Sequence, residues 1–369
     1  MADSLESIQV RRGAKVAPFH GQPLPARFGD RRDEWRAARA GCAVFDASFH
    51  SFIHATGADR VSFLQGMLSN DVKSLAPGDG LRAAFLTQQA KLVSVLRVYA
   101  DTDRLILDTH SWRVDALAEG LERYLIADDV ELARPTDGMP LLGLEGPSAS
   151  AVVRTIFGDD AVCGEGYRHH EIRHHGVDLH VFEVSEVGGC GFLLSGPKVA
   201  AAPLFEALCG AGALPLGMDA LNVLRVERGI PWIGIDMDEE VLLMEVGLDD
   251  AVSFEKGCYL GQEVVERVSA RGHVNRKLTG LVLEGDDVVP TRSTVFNGDA
   301  EVGWTASSVE SFALERPIAL AYLRRETLEP GTRVHVVSDG QRREATVHAL
   351  PFAGAASHGG SPLPPNRAK

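Results

Sequence analysis

Phe254-Glu255-Lys256-Gly257-Cys258-Tyr259-Leu260-Gly261-Gln262-Glu263 brackets one cysteine between glycines and sets a lysine two residues ahead of it. Glycine permits backbone turns that other residues resist, so the stretch reads as a tight loop. The apolar spacing that follows predicts a helix over 262–268. A cation near a thiol favours the thiolate, and so does a helix start, which makes Lys256 and the 262–268 helix candidate activators of Cys258. On that reading Cys258 is a reactive or ligand-giving thiol. The plainer reading is a small buried hydrophobe beside a solvated lysine, and for an arbitrary cysteine it is the better one.

Outward from this loop the chain divides by texture. Asp30 to Ala40 is charged and helix-forming and breaks at Gly41, and Val44 to Ala55 alternates in part, as one half-buried strand would. Ala58 to Leu68 predicts a helix; 81–86, 92–99 and 104–108 predict an antiparallel meander, followed by a helix over 114–125 and a strand over 130–133. A similar order recurs over 140–214: strand 141–144, helix 148–157, strands near 178–184 and 191–194, helix 199–209. Beyond Gly272 short strands near 278–283, 302–305, 318–322, 333–337 and 344–350 predict a small barrel or sandwich, and the Gly-, Pro- and Ser-rich end from Gly359 predicts disorder.

Composition bounds the function. A chain of 369 residues, 45% hydrophobic, has material for two or three domains. Its 51 acidic against 37 basic residues, a formal charge of -14, disfavour nucleic acid as the main partner. No apolar run is long enough for a membrane helix, and no secretory or Arg-rich organellar leader precedes the fold, so a cytoplasmic protein is expected. Five scattered cysteines without a CxxC pair fit a reducing compartment, and no metal centre is expected.

The Cys258 stretch closely resembles the Lys-Gly-Cys-Tyr-x-Gly-Gln-Glu signature of the YgfZ family of folate-binding proteins. The likeness continues through Glu266-Arg267 and Arg271-Gly272-His273-Val274-Asn275-Arg276-Lys277-Leu278. A second stretch, Leu224-Arg225-Val226-Glu227-Arg228-Gly229 on to Glu239, is similar to the R-x-E-x-G segment that YgfZ proteins share with the glycine-cleavage T-protein. Arg39 to Asp46 and Phe63 to Val72 resemble the opening of the same superfamily, with Asp46, Asn70 and Asp71 as caps or turn formers. The resemblance spans roughly Arg36 to His348.

It implies an α+β, T-protein-like three-domain arrangement: two α+β antiparallel-sheet subdomains around a central folate cavity, plus a small C-terminal β-barrel. The core would be 1–272, with subdomains near 52–135 and 1–51 with 136–250; the barrel would be 273–355 and the disordered tail 356–369. It implies tetrahydrofolate as ligand, with Glu227 oriented to a pterin N–H pair, Arg225 in support, Trp232 as a stacking ring or a core residue, and Gln262 beside them. It also implies an accessory role in assembly or repair of iron–sulfur enzymes, through transient contact with client or assembly proteins and a step at Cys258. The alternative is a folate-dependent aminomethyltransferase or demethylase acting on a small amine, with Asp236 and Asp238 as candidate acids. Two departures bear on that choice: Ser94 stands where the T-protein's acid aligns, and Gln262 where it has an arginine. With neither charge available, aminomethyl transfer from a lipoyl carrier is expected to be absent.

Overall fold

The computed structural model describes residues 4–352 apart from Asp137, Glu165 and Arg271. The disorder expected for 356–369 therefore lies outside the described residues. The chain opens with helix α1 (Leu5–Arg11), a hairpin β1 (Lys15–Phe19) and β2 (Gln22–Arg27), helix α2 (Arg31–Ala40) and strand β3 (Ala43–Asp46). Asp30 starts α2 by accepting hydrogen bonds from the Arg32 and Asp33 amides, satisfying donors that a helix start leaves unpaired.

The first α+β unit contains β4 (His50–Thr56), α3 (Arg60–Met67), β5 (Gly80–Leu86), β6 (Leu92–Ala100), β7 (Leu105–His110), α4 (Val114–Glu122) and β8 (Glu131–Ala133). Its five strands run in the order β5-β6-β7-β4-β8, all antiparallel. The second unit contains β9 (Met139–Glu145), α5 (Ala149–Phe157), β10 (His169–His174), β11 (Val177–Glu183), β12 (Gly191–Gly196), α6 (Ala201–Gly210) and β13 (Leu214–Pro215). These build a six-stranded sheet, β10-β11-β12-β9-β3-β13, whose last pair is parallel. Helices α7 (Met218–Glu227), α8 (Leu243–Val246) and α9 (Gln262–Ala270) lead into the closed barrel of β14 (Arg276–Leu283), β15 (Thr294–Asn297), β16 (Ala300–Ser311), β17 (Arg316–Arg324), β18 (Arg333–Ser338) and β19 (Gln341–His348). The α+β arrangement of two sheet units and a small barrel is thus present.

One reading is corrected. The single strand expected over 44–55 is two strands in different sheets. Asp46 accepts a hydrogen bond from the Ser48 amide and the His50 amide reaches Ala47 O, so a turn lets β3 join one sheet and β4 the other. Periodicity alone does not register such a jump, because both halves alternate alike.

Each sheet has an outer face under helices and an inner face. Ala83, Phe85, Leu96, Val98 and Leu107 pack under α3 and α4, while Leu142, Leu144 and Leu194 pack under α5 and α6. The inner faces meet each other: Phe52, Tyr99 and Ile106 of the first sheet share one core with Phe45, Phe182 and Leu193 of the second and with Leu221 and Leu224 of α7. Within the second sheet the Phe45 ring lies across its partner Gly143, where a Cβ would stand 2.0 Å from the ring. A further core joins Leu86 and Leu92, Val223 and Val226 of α7, Tyr259, and Leu278, Ile318 and Tyr322 of the barrel.

Candidate functional site

The Cys258 loop is held from three sides. Lys256 is buried, and its ammonium donates to Gln65 O, Leu68 O and Asn70 O at 2.6, 2.6 and 2.9 Å, the first two being carbonyls at the end of α3. Burial pushes Lys256 down to about 8, against the opposing pull of Asp71. Read from sequence as an activator of Cys258, Lys256 instead uses its hydrogens to anchor the loop. The Leu260 amide donates to Gly66 O and the Ser253 amide to Ser69 O. The Lys256 and Leu260 bonds join segments 63–72 and 254–263 into one assembly, and Asn70 adds bonds to Arg82 O and Asp250 O.

Gly261 closes the loop at φ +86, and a Cβ there would lie 2.6 Å from Thr87 O in the β5–β6 turn. Only glycine fits that approach without displacing backbone. Tyr259 is buried in the core shared with α7, while Cys258 beside it is exposed. Gln262 opens α9; its Oε1 accepts the Tyr259 amide at 3.3 Å and its Nε2 donates to Glu266 at 2.6 Å.

The Arg225–Asp236 segment is interior. Arg225, 1% exposed, donates to Asp236 Oδ2 at 2.5 Å, Ser307 Oγ at 2.6 Å and Ile230 O at 3.0 Å. Asp236 also accepts the Trp232 and Ser307 amides. Glu227 accepts Trp35 Nε1 at 2.8 Å, Ser311 Oγ at 2.7 Å and the Ala313 amide at 3.0 Å, with Arg39 at 3.7 Å. Both motif residues therefore tie α7 to the barrel, and Glu227 ties it to α2 as well. Trp232 is buried, with Arg225 over its ring at 4.7 Å and Phe49, His110 and Phe19 around it at 5.4, 5.2 and 6.1 Å. A pterin reaching either face of that indole would have to displace one of these groups, so these residues as placed line no open slot. Two recesses of about 400 and 350 Å³ lie elsewhere, one among Glu245, Arg276 and Arg324, the other by Lys277 and Leu350. Of the acids proposed as substitutes, Asp236 is consumed as above and Asp238 pairs with Arg292 near the surface.

Position 94 faces away from all of this. Ser94 pairs in register with Phe85, is fully buried, and bonds Thr109 Oγ1 at 2.9 Å, under the helices. The inner face is carried by its neighbours Val95 and Arg97, so the sheet offers no carboxylate at that place.

An ionisable cluster that sequence reading missed occupies this inner face. His50 Nδ1 donates to Asp108 at 2.9 Å; Arg97 donates to Asp108 Oδ2 at 2.9 Å and to Glu186; His50 Nε2 lies 3.3 Å from Glu186; His110 completes the group. Burial opposes the charged form of His50, but the facing Asp108 and Glu186 outweigh it and raise it to about 9. Burial alone would raise Glu186, yet Arg97 and His50 hold it well below the usual range. Burial, with the charge on His50 adding, pushes His110 down. The signal in the sequence was Arg97 and Asp108, charged residues inside otherwise apolar alternating strands.

Residues 5–256 match the GCVT N-terminal domain, and residues 276–353 match the glycine cleavage T-protein C-terminal barrel domain. Over 357 residues the chain is 29% identical to an aminomethyltransferase of Chlorobium phaeovibrioides, covering 95% of this chain and 97% of the relative. It is 28% identical over 355 residues to an aminomethyltransferase of Geobacillus sp. (strain WCH70), covering 94% and 97%. In fold it resembles the crystal structure of glycine cleavage system aminomethyltransferase T from Bartonella henselae, with a TM-score of 0.84 at 22% identity over 96% of this chain and 98% of that one. Among the described residues no helix is long and apolar enough to cross a membrane.

Proposed function

Because this chain belongs to the glycine cleavage T-protein family, we propose that it binds a reduced folate and takes part in one-carbon transfer with a small amine. The observation that carries this reading is the match through both family domains, sheet core and barrel, with aminomethyltransferases similar along nearly the whole chain. Proteins of this family use tetrahydrofolate. In this reading 1–272 are the folate-binding core and 273–355 the barrel that closes it. Arg225 and Glu227, with their polar atoms committed, stand behind the site as supporting walls and do not line it, and the buried Trp232 packs with them. Gln262, at the head of α9, borders the site from the Cys258 loop.

The amine differs from the lipoyl-bound substrate of a T-protein, because no acid faces inward at position 94 and Gln262 is neutral. Equilibrium titration with tetrahydrofolate, followed by quenching of tryptophan fluorescence, tests the binding. Saturable binding in the micromolar range is expected, and no binding at millimolar ligand would remove folate from the function.

A second reading is favoured by one observation: the Cys258 thiol is exposed on a loop fixed by Lys256 and Gly261. A protein of the YgfZ type would use such a thiol, in the reducing cytoplasm, for a step in assembly or repair of iron–sulfur enzymes during transient contact with them. Complementation with a Cys258→Ala chain separates the readings. Failure to restore iron–sulfur enzyme activity, with folate binding intact, supports the thiol role; full restoration ends it.

A further inference from the structure

We propose that His50, His110 and Glu186 form a buried site for one first-row divalent cation such as Zn²⁺ or Fe²⁺. This departs from the expectation of no metal centre, which rested on the cysteines forming no CxxC pair. The three residues come from distant segments: His50 opens β4, His110 ends β7 directly opposite it in register, and Glu186 follows β11. One ligand atom from each lies within 4.8 Å of the others. The residues are 3%, 9% and 6% exposed, so nothing here is a chance surface cluster.

Two buried nitrogens at this place lack partners. His50 Nε2 and His110 Nδ1 make no hydrogen bond. When an ion displaces the proton that Asp108 and Glu186 favour on His50, Nδ1–H stays on Asp108 and the Nε2 lone pair faces the cluster. That nitrogen is 3.3 Å from Glu186 Oε1. Two ligands about 2.0–2.1 Å from a tetrahedral ion stand about 3.3 Å apart, so the spacing is that of a shared ion. A protonated His50 paired with Glu186 accounts for that contact but leaves the buried His110 nitrogen without a partner; a cation shared by all three residues engages it as well.

Charge and outer contacts agree. Asp108 and Glu186 carry two negative charges and Arg97 one positive, so the cluster apart from its histidines is one charge short of neutral, and a divalent ion with hydroxide in its open position would bring the sum to zero. Arg97 binds the same Glu186 Oε1, but a carboxylate oxygen has two lone pairs and can serve a guanidinium and an ion together. Asp108 orients His50 as carboxylates orient histidine ligands, the Glu186 amide donates to Glu145 Oε1 at 2.5 Å, and the His110 ring stacks on Trp112 at 4.6 Å. Imidazole with carboxylate suits Zn²⁺ or Fe²⁺ rather than Ca²⁺ or Mg²⁺, and three protein ligands leave a position for water or substrate.

The test uses the full chain, stripped with chelator and reloaded with Co²⁺ as a spectroscopic probe, then with Zn²⁺, bound metal being measured by mass spectrometry after desalting. One equivalent is expected, with visible Co²⁺ bands of low symmetry and a higher melting temperature with metal. His110→Phe and Glu186→Gln should each weaken binding 10-fold or more, while His180→Phe, in the separate Asp101–Glu171–His180 group, should leave it unchanged. Should Glu186→Gln fail to fold, the folded His110→Phe chain carries the comparison. No retained metal in the parent, or occupancy that follows His180 instead of His110, overturns the proposal. None of these readouts depends on folate binding.

Discussion

Replacing Arg225 by leucine separates a wall from a ligand contact. Arg225 and Asp236 form an ion pair at 2.5 Å with side chains 1% and 0% exposed. Without the guanidinium, Asp236 keeps only the Trp232 and Ser307 amides, and a carboxylate stays buried beside an indole that has lost its covering cation. Removing one partner of a buried pair costs about 3–5 kcal/mol, much of it the uncompensated charge left behind. Arg225→Leu should therefore lower unfolding free energy by about that amount in urea titrations followed by tryptophan fluorescence. Replacing both residues with apolar groups should recover much of the loss, since an apolar pair of similar volume is often nearly neutral. If Arg225→Leu keeps parental stability within about 0.5 kcal/mol yet abolishes tetrahydrofolate binding, Arg225 touches the ligand and its assignment as a wall is wrong.

Gly261→Ala combines a left-handed backbone penalty of about 1–2 kcal/mol with a clash against Thr87 O that no side-chain rotation relieves, so proteolytic nicking in 253–261 should rise sharply while the barrel stays intact. Ser94→Asp should not create aminomethyl transfer from a lipoyl carrier, because the new carboxylate points at Phe85 and Thr109 under the helices; a loss on the order of 3 kcal/mol or more is expected, and a folded, active variant would refute the register. Lys256 carries a proton in the unfolded chain up to about 10.5 but loses it near 8 when folded. Unfolded molecules therefore bind more protons between those values, and the parent should gain stability relative to Lys256→Met as pH rises through that window; a constant difference would show that Lys256 titrates normally.

What the sequence disclosed and withheld follows from the range of the interactions. Strands β5 to β7 were legible because alternation is local, and the Cys258 loop because glycines and a helix start lie within ten residues. The partners of Lys256 were not, since backbone carbonyls at the end of a helix nearly two hundred positions earlier carry no side-chain mark. The split of 44–55 into β3 and β4 was hidden because a turn between sheets leaves hydrophobic alternation unchanged. The His50–Asp108–Glu186 cluster was hidden for a third reason: its members meet only when the inner faces of two sheets pack together, and each alone reads as a strand-end or loop polar residue. Arg97 and Asp108 were nonetheless anomalous, because a charge on an inward strand face is costly unless something answers it.

Ser94 and Glu227 show how a motif can keep its letters and change its work. Alignment places an acid's position at Ser94, but the register shift between Phe85 and Leu86 puts Leu92 on the inner face and Ser94 on the outer one. An acid written into that position would act only if the register also moved. Glu227 reads in sequence as a pterin ligand, yet here it joins Trp35 of α2 to Ser311 and Ala313 of the barrel. Arg225 makes a second tie, to Ser307 on β16. Through these two residues α7 fixes where the barrel sits on the core, and Tyr259 shares that same interface. The geometry around the exposed thiol thus depends on the folate-type motif even without contact between them: loosening Glu227 should move the Cys258 loop before it unfolds either sheet.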